Sequence, residues 1–196
     1  MRGHPEDCRI TILTGAYTHF VPDRDAAELD LGCGSGSFAA ALAARYPEKR
    51  VIAADVMIGR LRKAVAKAER LNLDNIAILR VEARSLIARM LPDRSLDRIH
   101  LLCPDPWPKE KHRSHRLITS DVMTHFARIL KSGGVFHFST DNAEYLEIAD
   151  HAVNASGLFA PSDTALIADV ADIKTGFELL WESEGKTVTH RAWRKL

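Results

Sequence analysis

The chain has 196 residues, of which 46% are hydrophobic and 27% are charged, so it is long enough for one well-packed domain and short for two. Its formal net charge of +1 excludes a strong overall attraction to polyanions, and any nucleic-acid binding has to come from local clusters of basic residues. We therefore expect a single domain over residues 1–196, in which residues 1–25 form a short N-terminal segment that can be partly flexible.

Three features of the sequence bear on the compartment. The longest apolar stretches fall far short of the roughly 20 residues that a membrane-spanning helix needs. The N-terminus, MRGHPEDCRI, lacks the apolar core of a secretory signal. Cys8, Cys33 and Cys103 are isolated thiols without a CxxC pair, which argues against a disulfide framework and a structural zinc site. We expect a cytoplasmic protein that binds neither a membrane nor a metal.

Short apolar runs alternate with helical patterns along most of the chain. The predicted strands are 27–33, 50–56, 75–83, 96–104 and 135–140, and the predicted helices are 37–47, 58–73, 85–90, 118–134 and 142–157. This alternation predicts an α/β fold with a mostly parallel twisted sheet and helices on both faces. Residues 187–196 are predicted as an antiparallel C-terminal edge strand, and residues 161–176 have no assignment.

The first predicted strand leads into a glycine-rich loop, DLGCGSG at residues 30–36. Its spacing is GxGxG, and Ser37 stands where a dinucleotide-binding fingerprint has its third glycine. An acid before such a loop repels a pyrophosphate but attracts an ammonium group, and glycines let the backbone approach a ligand closely. S-Adenosylmethionine has an ammonium group, a sulfonium and no phosphate, so it is the predicted cofactor. The cofactor-binding residues predicted in the loop are Asp30, Gly32, Gly34 and Gly36.

Two further acids follow the next predicted strands. Asp55 lies 19 residues beyond Gly36, close to the place where a ribose-binding acid is expected. Glu82 lies near the end of the third strand. Because ligands bind at the carboxyl edge of a parallel sheet, we predict that both acids bind the cofactor. The alternative is that the glycines form only a tight turn and that both acids are helix N-caps or solvated strand ends.

The segment CPDPWPKEKHRSHRL at residues 103–117 combines prolines, an acid, a tryptophan and a run of bases. Asp105 follows the fourth predicted strand, between two prolines that fix the backbone, and we place it in the cofactor site. Trp107 is predicted to stack on a nucleobase, with core packing as the alternative. A turn residue is the alternative for Asp105, and a solvated surface is the alternative for the bases. The residues predicted to form a phosphate-contacting arm are Lys109, Lys111, His112, Arg113, His115 and Arg116.

Several segments occur in a fixed order along the chain: DLGCGSG, the acid-ended strands, PDPWPKEKHRSHRL, GGVFHFSTDNAEY and TGFE. Together they resemble the bacterial tRNA (guanine-N7-)-methyltransferase family, which has a Rossmann-like, S-adenosylmethionine-dependent methyltransferase fold. The resemblance covers nearly everything from Glu28 onward, and PDPWPK is its most specific part. It implies an enzyme that methylates N7 of a guanine in the variable loop of tRNA, with tRNA as partner. We expect a monomer or homodimer.

The resemblance also implies roles for individual residues. It places cofactor positions on Asp30, Asp55, Glu82 and Asp105, and substrate or RNA contacts on Lys109 and the stretch through Arg116, Asp141, Thr175 and Glu178. Asp105 takes the position of the catalytic acid. Guanine N7 carries a lone pair and no proton, so its attack needs no general base. We expect Asp105 to orient the guanine and to offset the charge that develops on it.

Other functions remain open from the sequence. Asp105-Pro106-Trp107 also resembles the loop of methyltransferases that act on exocyclic amines of nucleobases, although those usually have two consecutive prolines before the aromatic residue. A nicotinamide-binding domain is disfavoured by Ser37, and a non-catalytic RNA-binding protein is disfavoured by the retained acids. Asp141, Thr175 and Glu178 can equally be helix caps.

Overall fold

The computed structural model describes residues 4–15, 18–106 and 116–196. The strands are β1 (Ile10–Ile12), β2 (Ala27–Leu31), β3 (Arg50–Asp55), β4 (Ile76–Arg80), β5 (Leu96–Leu102), β6 (Leu130–Thr140) and β7 (Thr189–Arg194). They form one sheet in the order β1-β4-β3-β2-β5-β6-β7. Neighbouring strands pair in parallel, except that β6 and β7 are antiparallel. The predicted mostly parallel sheet with an antiparallel C-terminal edge strand is confirmed.

Helices cover both faces of the sheet. They are α1 (Ser37–Arg45), α2 (Ile58–Arg70), α3 (Ala83–Ser85), α4 (Ser120–Ile129), α5 (Ala143–Ser156) and α6 (Gly176–Ser183). Successive strand residues point to opposite faces. In β3, Ile52 therefore packs into the apolar cluster of α4 and α5, whereas Val51 packs into the cluster of α1 and α2. Every residue of β2 is buried, as expected for a central strand covered on both faces.

The first strand was not expected from the sequence. β1 lies inside the N-terminal segment 1–25 and pairs in parallel with β4 at the edge of the sheet. Ile10 is buried, whereas Thr11 and Ile12 are exposed. Three residues with one buried side chain are too few to show the alternation by which a sequence reveals a strand.

The predicted helix 118–134 is wrong at its C-terminal end, because α4 ends at Ile129 and β6 begins at Leu130. Two glycines explain why strand pairing extends into this segment. Gly133 has a φ of +73°, and a Cβ on Gly134 would lie 3.1 Å from the carbonyl oxygen of Asp97. The backbone of β6 therefore approaches β5 closely here, and the register between the two strands shifts.

The unassigned segment 161–176 forms a cover beside the sheet. It contains a short 3-10 helix, Thr164–Ile167. Ile167, Val170 and Ile173 bury their side chains in the cluster of α1 and α2. This packing anchors the chain just before α6, and so brings the start of α6 to the carboxyl edge of the sheet.

Candidate active site

A cavity of about 580 Å³ opens at the carboxyl ends of β2, β3 and β5. The strand order β3-β2-β5 changes direction at β2, and such a switch point is where open α/β sheets bind ligands. The cavity brings together several residues that the sequence predicted for the site: Asp30, Gly32, Gly34, Asp55, Asp105 and Thr175.

The glycine loop takes its shape from close backbone approaches. Gly36 has a φ of +71°, and a Cβ at this position would lie 2.5 Å from Cβ of Ala64 in α2. Any side chain at residue 36 would therefore push α2 away from the loop. Gly34 also has a positive φ, of +54°, and its amide donates to Oδ2 of Asp55 at 3.0 Å. The loop is thus fixed by α2 on one side and by β3 on the other.

Asp30 is a buried carboxylate at the floor of the cavity, with 3% of its surface exposed. Its Oδ2 has no hydrogen-bond partner among the described residues. Burial and the nearby charge of Asp55 raise the pKa of Asp30 to about 7. A buried acceptor without a partner costs free energy. A ligand with a cationic N–H donor would remove that cost, and the ammonium of S-adenosylmethionine fits this requirement.

Asp55 holds the glycine loop from the end of β3. Its Oδ2 accepts from the amide of Gly34, and its Oδ1 accepts from the amide of Met57 at 2.8 Å. Arg60 lies 3.8 Å from Oδ2. Each carboxylate oxygen can accept more than one hydrogen bond, so this arrangement leaves capacity for a ribose hydroxyl. The predicted cofactor contact of Asp55 stays a prediction.

Glu82 caps α3, as the alternative interpretation had it. Its carboxylate accepts from the amides of Arg84 at 2.8 Å and Ser85 at 2.7 Å. Although partial burial opposes it, these hydrogen bonds lower the pKa of Glu82. The side chain is exposed, and the neighbouring Ala83 lines the cavity. A cofactor contact from Glu82 stays a prediction.

Asp105 stands at the cavity just beyond β5. Cys103 turns the chain there with a φ of +50°, a conformation that costs free energy for a residue with a side chain. Its amide donates to the carbonyl of Ser139 at 2.9 Å, which ties this turn to β6. Asp105 is exposed and lines the cavity. The predicted contacts that lie outside the described residues are Trp107, Lys109, Lys111, His112, Arg113 and His115.

Arg116, predicted as an RNA contact, is buried with 5% of its surface exposed. Its Nε donates to the carbonyl of Pro106 at 2.7 Å, and its Nη2 donates to Glu144 at 3.1 Å. Its own carbonyl accepts from Arg84 at 2.6 Å. Arg116 therefore connects Pro106 with Glu144 of α5. An RNA contact from this side chain stays a prediction, because its described hydrogen bonds are all within the protein.

Thr175 and Glu178 form a capping box at the start of α6. Thr175 Oγ1 accepts from the amide of Glu178 at 3.0 Å, and the Thr175 amide donates to Oε2 of Glu178 at 3.3 Å. Thr175 also lines the cavity, whereas Glu178 is buried beneath the turn. Asp141 follows β6 and is exposed. Substrate contacts from these residues stay predictions.

Some lining residues were not found from the sequence. Arg60 and Lys63 reach the cavity from α2, Tyr145 from α5, and Phe177 and Leu180 from α6. The bases of α2 look like an ordinary solvated helix face in the sequence. Only the fold shows that this face ends beside the glycine loop.

Comparisons with known proteins agree with this geometry. A profile of the family described as "Putative methyltransferase" matches residues 25–191. The tRNA (guanine-N(7)-)-methyltransferase of Caulobacter vibrioides is 35% identical over 158 residues, which are 80% of this chain and 70% of that protein. The chain belongs to the tRNA (guanine-N(7)-)-methyltransferase family. The resemblance read from the sequence is thereby confirmed.

Other members of the tRNA (guanine-N(7)-)-methyltransferase family are longer than this chain. The Thermotoga maritima protein is 32% identical over 164 residues, which are 81% of this chain and 50% of that protein. The Corynebacterium diphtheriae protein is 32% identical over 171 residues, which are 85% of this chain and 66% of that protein. The chain thus spans about half the length of the first relative and just under two thirds of the second.

Solved structures show the same fold. The crystal structure of the 16S rRNA methyltransferase KamB matches with a TM-score of 0.64 and 17% identity, and the match covers 88% of each chain. A SAM-dependent methyltransferase from Aquifex aeolicus matches with a TM-score of 0.58 and 15% identity, over 89% of this chain and 85% of that one. The predicted methyltransferase fold is confirmed. Among the described residues, no helix combines the length and apolar character needed to cross a membrane.

Proposed function

We propose that this protein transfers the methyl group of S-adenosylmethionine to N7 of a guanine in the variable loop of tRNA, forming 7-methylguanosine. Family membership supports the reaction and the substrate. The structural observation that carries the proposal is the buried Asp30 carboxylate at the floor of the cavity, whose Oδ2 has no hydrogen-bond partner in the part of the chain that the structure describes. That site favours a ligand with an ammonium group over one with a pyrophosphate.

S-Adenosylmethionine supplies an electrophilic methyl group on its sulfonium. The residues of this chain would bind and orient it: Asp30 receives the ammonium, the glycine loop lets the backbone approach, and Asp55 accepts from the ribose. Gly34, which has a positive φ, lines the cavity itself. Binding in this way fixes the methyl group before the guanine arrives.

Asp105 orients the guanine in the proposed reaction. It is the acid that the chain presents on the cavity wall between Pro104 and Pro106. Its carboxylate can accept from the N–H edge of guanine and can offset the positive charge that forms on the purine ring. N7 needs no deprotonation, so alignment and electrostatic stabilisation supply the rate enhancement. Thr175, which lines the same cavity, closes the guanine pocket in this proposal.

The partner is proposed to be tRNA, bound by the bases of residues 109–116 at its phosphates. Trp107 stacks on a nucleobase in this proposal. Arg116 also donates to the carbonyl of Pro106, the residue before this segment. We further propose that residues 1–196 act as one domain in the cytoplasm, as a monomer or homodimer.

Transfer of labelled methyl from S-adenosylmethionine to unmodified bulk tRNA, followed by nucleoside analysis, tests the proposal. We expect label in 7-methylguanosine, whose glycosidic site is labile to mild alkali and borohydride. Label in an alkali-stable methylated adenosine or cytidine would instead support the exocyclic-amine alternative. Binding of S-adenosylhomocysteine without any transfer would contradict the proposed acceptor.

A further inference from the structure

A chain of side-chain hydrogen bonds crosses the sheet and ends at α6, the helix whose first turn borders the cavity. Nε2 of His100 lies 2.9 Å from Oε2 of Glu28, and Nδ1 of His100 lies 2.9 Å from Nδ1 of His137. Nε2 of His137 lies 2.9 Å from Nδ1 of His190, and Nε2 of His190 lies 3.0 Å from Oε1 of Glu178. We call these five residues the histidine relay. It crosses β2, β5, β6 and β7 and ends in the first turn of α6.

The relay is buried along nearly all of its length. Glu28, His100 and His137 each expose 2% or less of their surface, and Glu178 exposes 4%. The ring of Phe38 packs against His100 with a centroid distance of 4.7 Å. Buried polar groups destabilise a fold unless their hydrogen bonds are made. The proposed methyl transfer uses none of the three histidines, so their arrangement needs another explanation.

The number of protons in the relay follows from its geometry. A carboxylate only accepts hydrogen bonds, so Nε2 of His100 donates to Glu28 and Nε2 of His190 donates to Glu178. Nδ1 is then an acceptor in both histidines when they are neutral. Both acceptors face His137. His137 can donate to both only as an imidazolium, because four hydrogen bonds need four N–H protons and three neutral imidazoles carry three.

We propose that the histidine relay is a proton-dependent support for the N-terminal turn of α6, in which His190 positions Glu178 and one extra proton completes the four hydrogen bonds. Glu178 makes the capping box with Thr175, which lines the cavity. A change in the position of Glu178 would therefore move Thr175, which lines the proposed substrate site. His190 is a positioning residue, since the hydrogen bonds described for its side chain are to His137 and Glu178. Its effect on catalysis rests on the proposed methyl transfer.

The charged groups around the relay decide when the extra proton is held. Lys49 donates to Oε1 of Glu28 at 2.6 Å, and Arg98 lies 3.8 Å from Oε2. Although burial opposes it, the contacts with His100, Arg98 and Lys49 lower the pKa of Glu28 to about 2, so this end of the relay is a carboxylate. Asp169 pairs with Arg98 at 3.2 Å. Near Glu178, the neighbouring titratable groups are Lys174 and Cys103.

Burial and the neighbouring bases set the direction of the pH dependence. Burial lowers the pKa of His137, and the facing His100, His190 and Arg98 lower it further. Burial also lowers the pKa of His100, against its hydrogen bond with Glu28. Burial therefore moves the uptake of an extra proton on His137 or His100 to a lower pH than that of an exposed histidine. Above that pH, His137 donates to one neighbour only, and three of the four hydrogen bonds remain.

Glu28→Gln tests the proton count directly. Oε1 of Glu28 faces Lys49 and Oε2 faces His100, so a glutamine can accept from Lys49 with its oxygen and donate to His100 with its amide nitrogen. His100 then donates to His137, His137 to His190, and His190 to Glu178. Four hydrogen bonds are made with three neutral imidazoles, and the extra proton is no longer needed.

Imidazole nitrogen NMR of histidine-labelled protein, from about pH 4 to about pH 8, shows which nitrogens carry protons and requires no catalysis. In the wild type we expect N–H at Nε2 of His100 and a second proton on one of the three relay imidazoles at the acid end. In Glu28→Gln we expect N–H at Nδ1 of His100 and no second proton. Identical tautomers and identical titration in both proteins would overturn the proposal. If Glu28→Gln does not fold, a wild-type His100 with its proton on Nδ1 would overturn it equally.

Activity then tests the positioning role of His190. His190→Ala removes the donor to Glu178 and should lower kcat/KM for tRNA about tenfold, whereas His190→Gln keeps an N–H donor and should recover most of it. His151→Gln, on the exposed side of α5, is the matched control and should change nothing. Asp30 titrates in both proteins, so the ratio of wild-type to Glu28→Gln activity at saturating S-adenosylmethionine is compared across pH. This ratio should rise about fivefold towards the acid end, where the extra proton completes the fourth hydrogen bond of the wild type.

The outcomes separate the two proposals. Wild-type activity in His190→Ala would overturn the positioning role. Equal loss in His190→Ala and His190→Gln, with the wild-type pH profile kept in Glu28→Gln, would overturn it as well. Absence of transfer to tRNA in the wild type itself would refute the proposed function, and the NMR result would still decide the proton count.

Discussion

At the scale of single residues, Asp105 is the side chain on which the proposed chemistry depends most. It is exposed and lines the cavity. We expect Asp105→Asn to lower kcat by about a hundredfold, because it removes charge where charge develops on the guanine. The measurement is single-turnover methyl transfer to tRNA. Asp121→Asn, at an exposed position in the first turn of α4, is the matched control.

Asp105→Asn should leave the thermal unfolding midpoint and the affinity for S-adenosylhomocysteine close to those of the wild type. If its turnover equals that of Asp121→Asn, then Asp105 has no part in the reaction.

Asp30 connects stability with binding. Its pKa of about 7 lies above the ordinary value of 3.8, so the folded protein binds a proton that the unfolded chain has released. Its ionisation therefore destabilises the fold progressively as pH rises through this window, and fully above about pH 7. Asp30→Asn should raise the free energy of unfolding at about pH 8 by on the order of 2 kcal/mol, measured by urea denaturation.

The same variant should bind S-adenosylhomocysteine about thirtyfold more weakly by calorimetry, because the charge-assisted hydrogen bond to the ammonium is lost. Greater stability with weaker binding is the expected combination for Asp30→Asn. Unchanged affinity would mean that the ammonium of the cofactor is bound elsewhere.

At the scale of the elements, Gly36 joins the loop, α1 and α2. Gly36→Ala meets two penalties, a φ of +71° and a Cβ only 2.5 Å from Cβ of Ala64. Gly185→Ala meets only the first, since Gly185 has a φ of +76° and open space around it. We expect about 1 kcal/mol of destabilisation for Gly185→Ala and about 2 kcal/mol more for Gly36→Ala. Urea denaturation of both variants gives the difference, and equal losses would show that α2 does not restrict residue 36.

The strands also show which parts of the fold could be predicted from the sequence. Apolar runs separated by helical patterns were enough to predict β2 to β5, because these central strands are largely buried and consist mostly of apolar residues. The antiparallel β7 was predicted from the last run of the chain. β1 was missed since it is three residues long, and the start of β6 was taken for helix because its backbone approach at Gly134 leaves no pattern in the letters. The apolar pattern of a segment can be seen in its own sequence. Whether an edge segment pairs as a strand depends on the strand that lies next to it in the fold.

The candidate site also contains residues that the sequence predicted and residues that it could not predict. The acids and glycines of the cavity could be found from the sequence because each follows a recognisable strand. The burial of Arg116 and the histidine relay could not, because they join residues far apart in the chain. Arg116 looks like one more base in a basic run, but its guanidinium is committed to Pro106 and Glu144. Such contacts arise only once the elements are packed.

At the scale of the whole molecule, the formal net charge of +1 leaves tRNA binding to local bases. Lys109→Ala with Arg113→Ala should weaken tRNA binding and reduce the slope of log K against log salt by about 2. Arg70→Ala with Arg89→Ala, a pair of exposed positions on α2 and beside α3, removes the same charge elsewhere. Filter binding across a salt series measures both. Equal changes in the two double variants would assign the effect to total charge and not to the segment 109–116.

The central claim is that the acceptor atom is N7 of a guanine in the variable loop of tRNA. The most direct measurement compares methyl transfer to two otherwise identical tRNAs, one with guanosine at that position and one with 7-deazaguanosine, which has carbon in place of N7. We predict 7-methylguanosine in the first tRNA and no transfer to the second. Equal transfer to both would contradict the account, because the methyl group would then go to another atom.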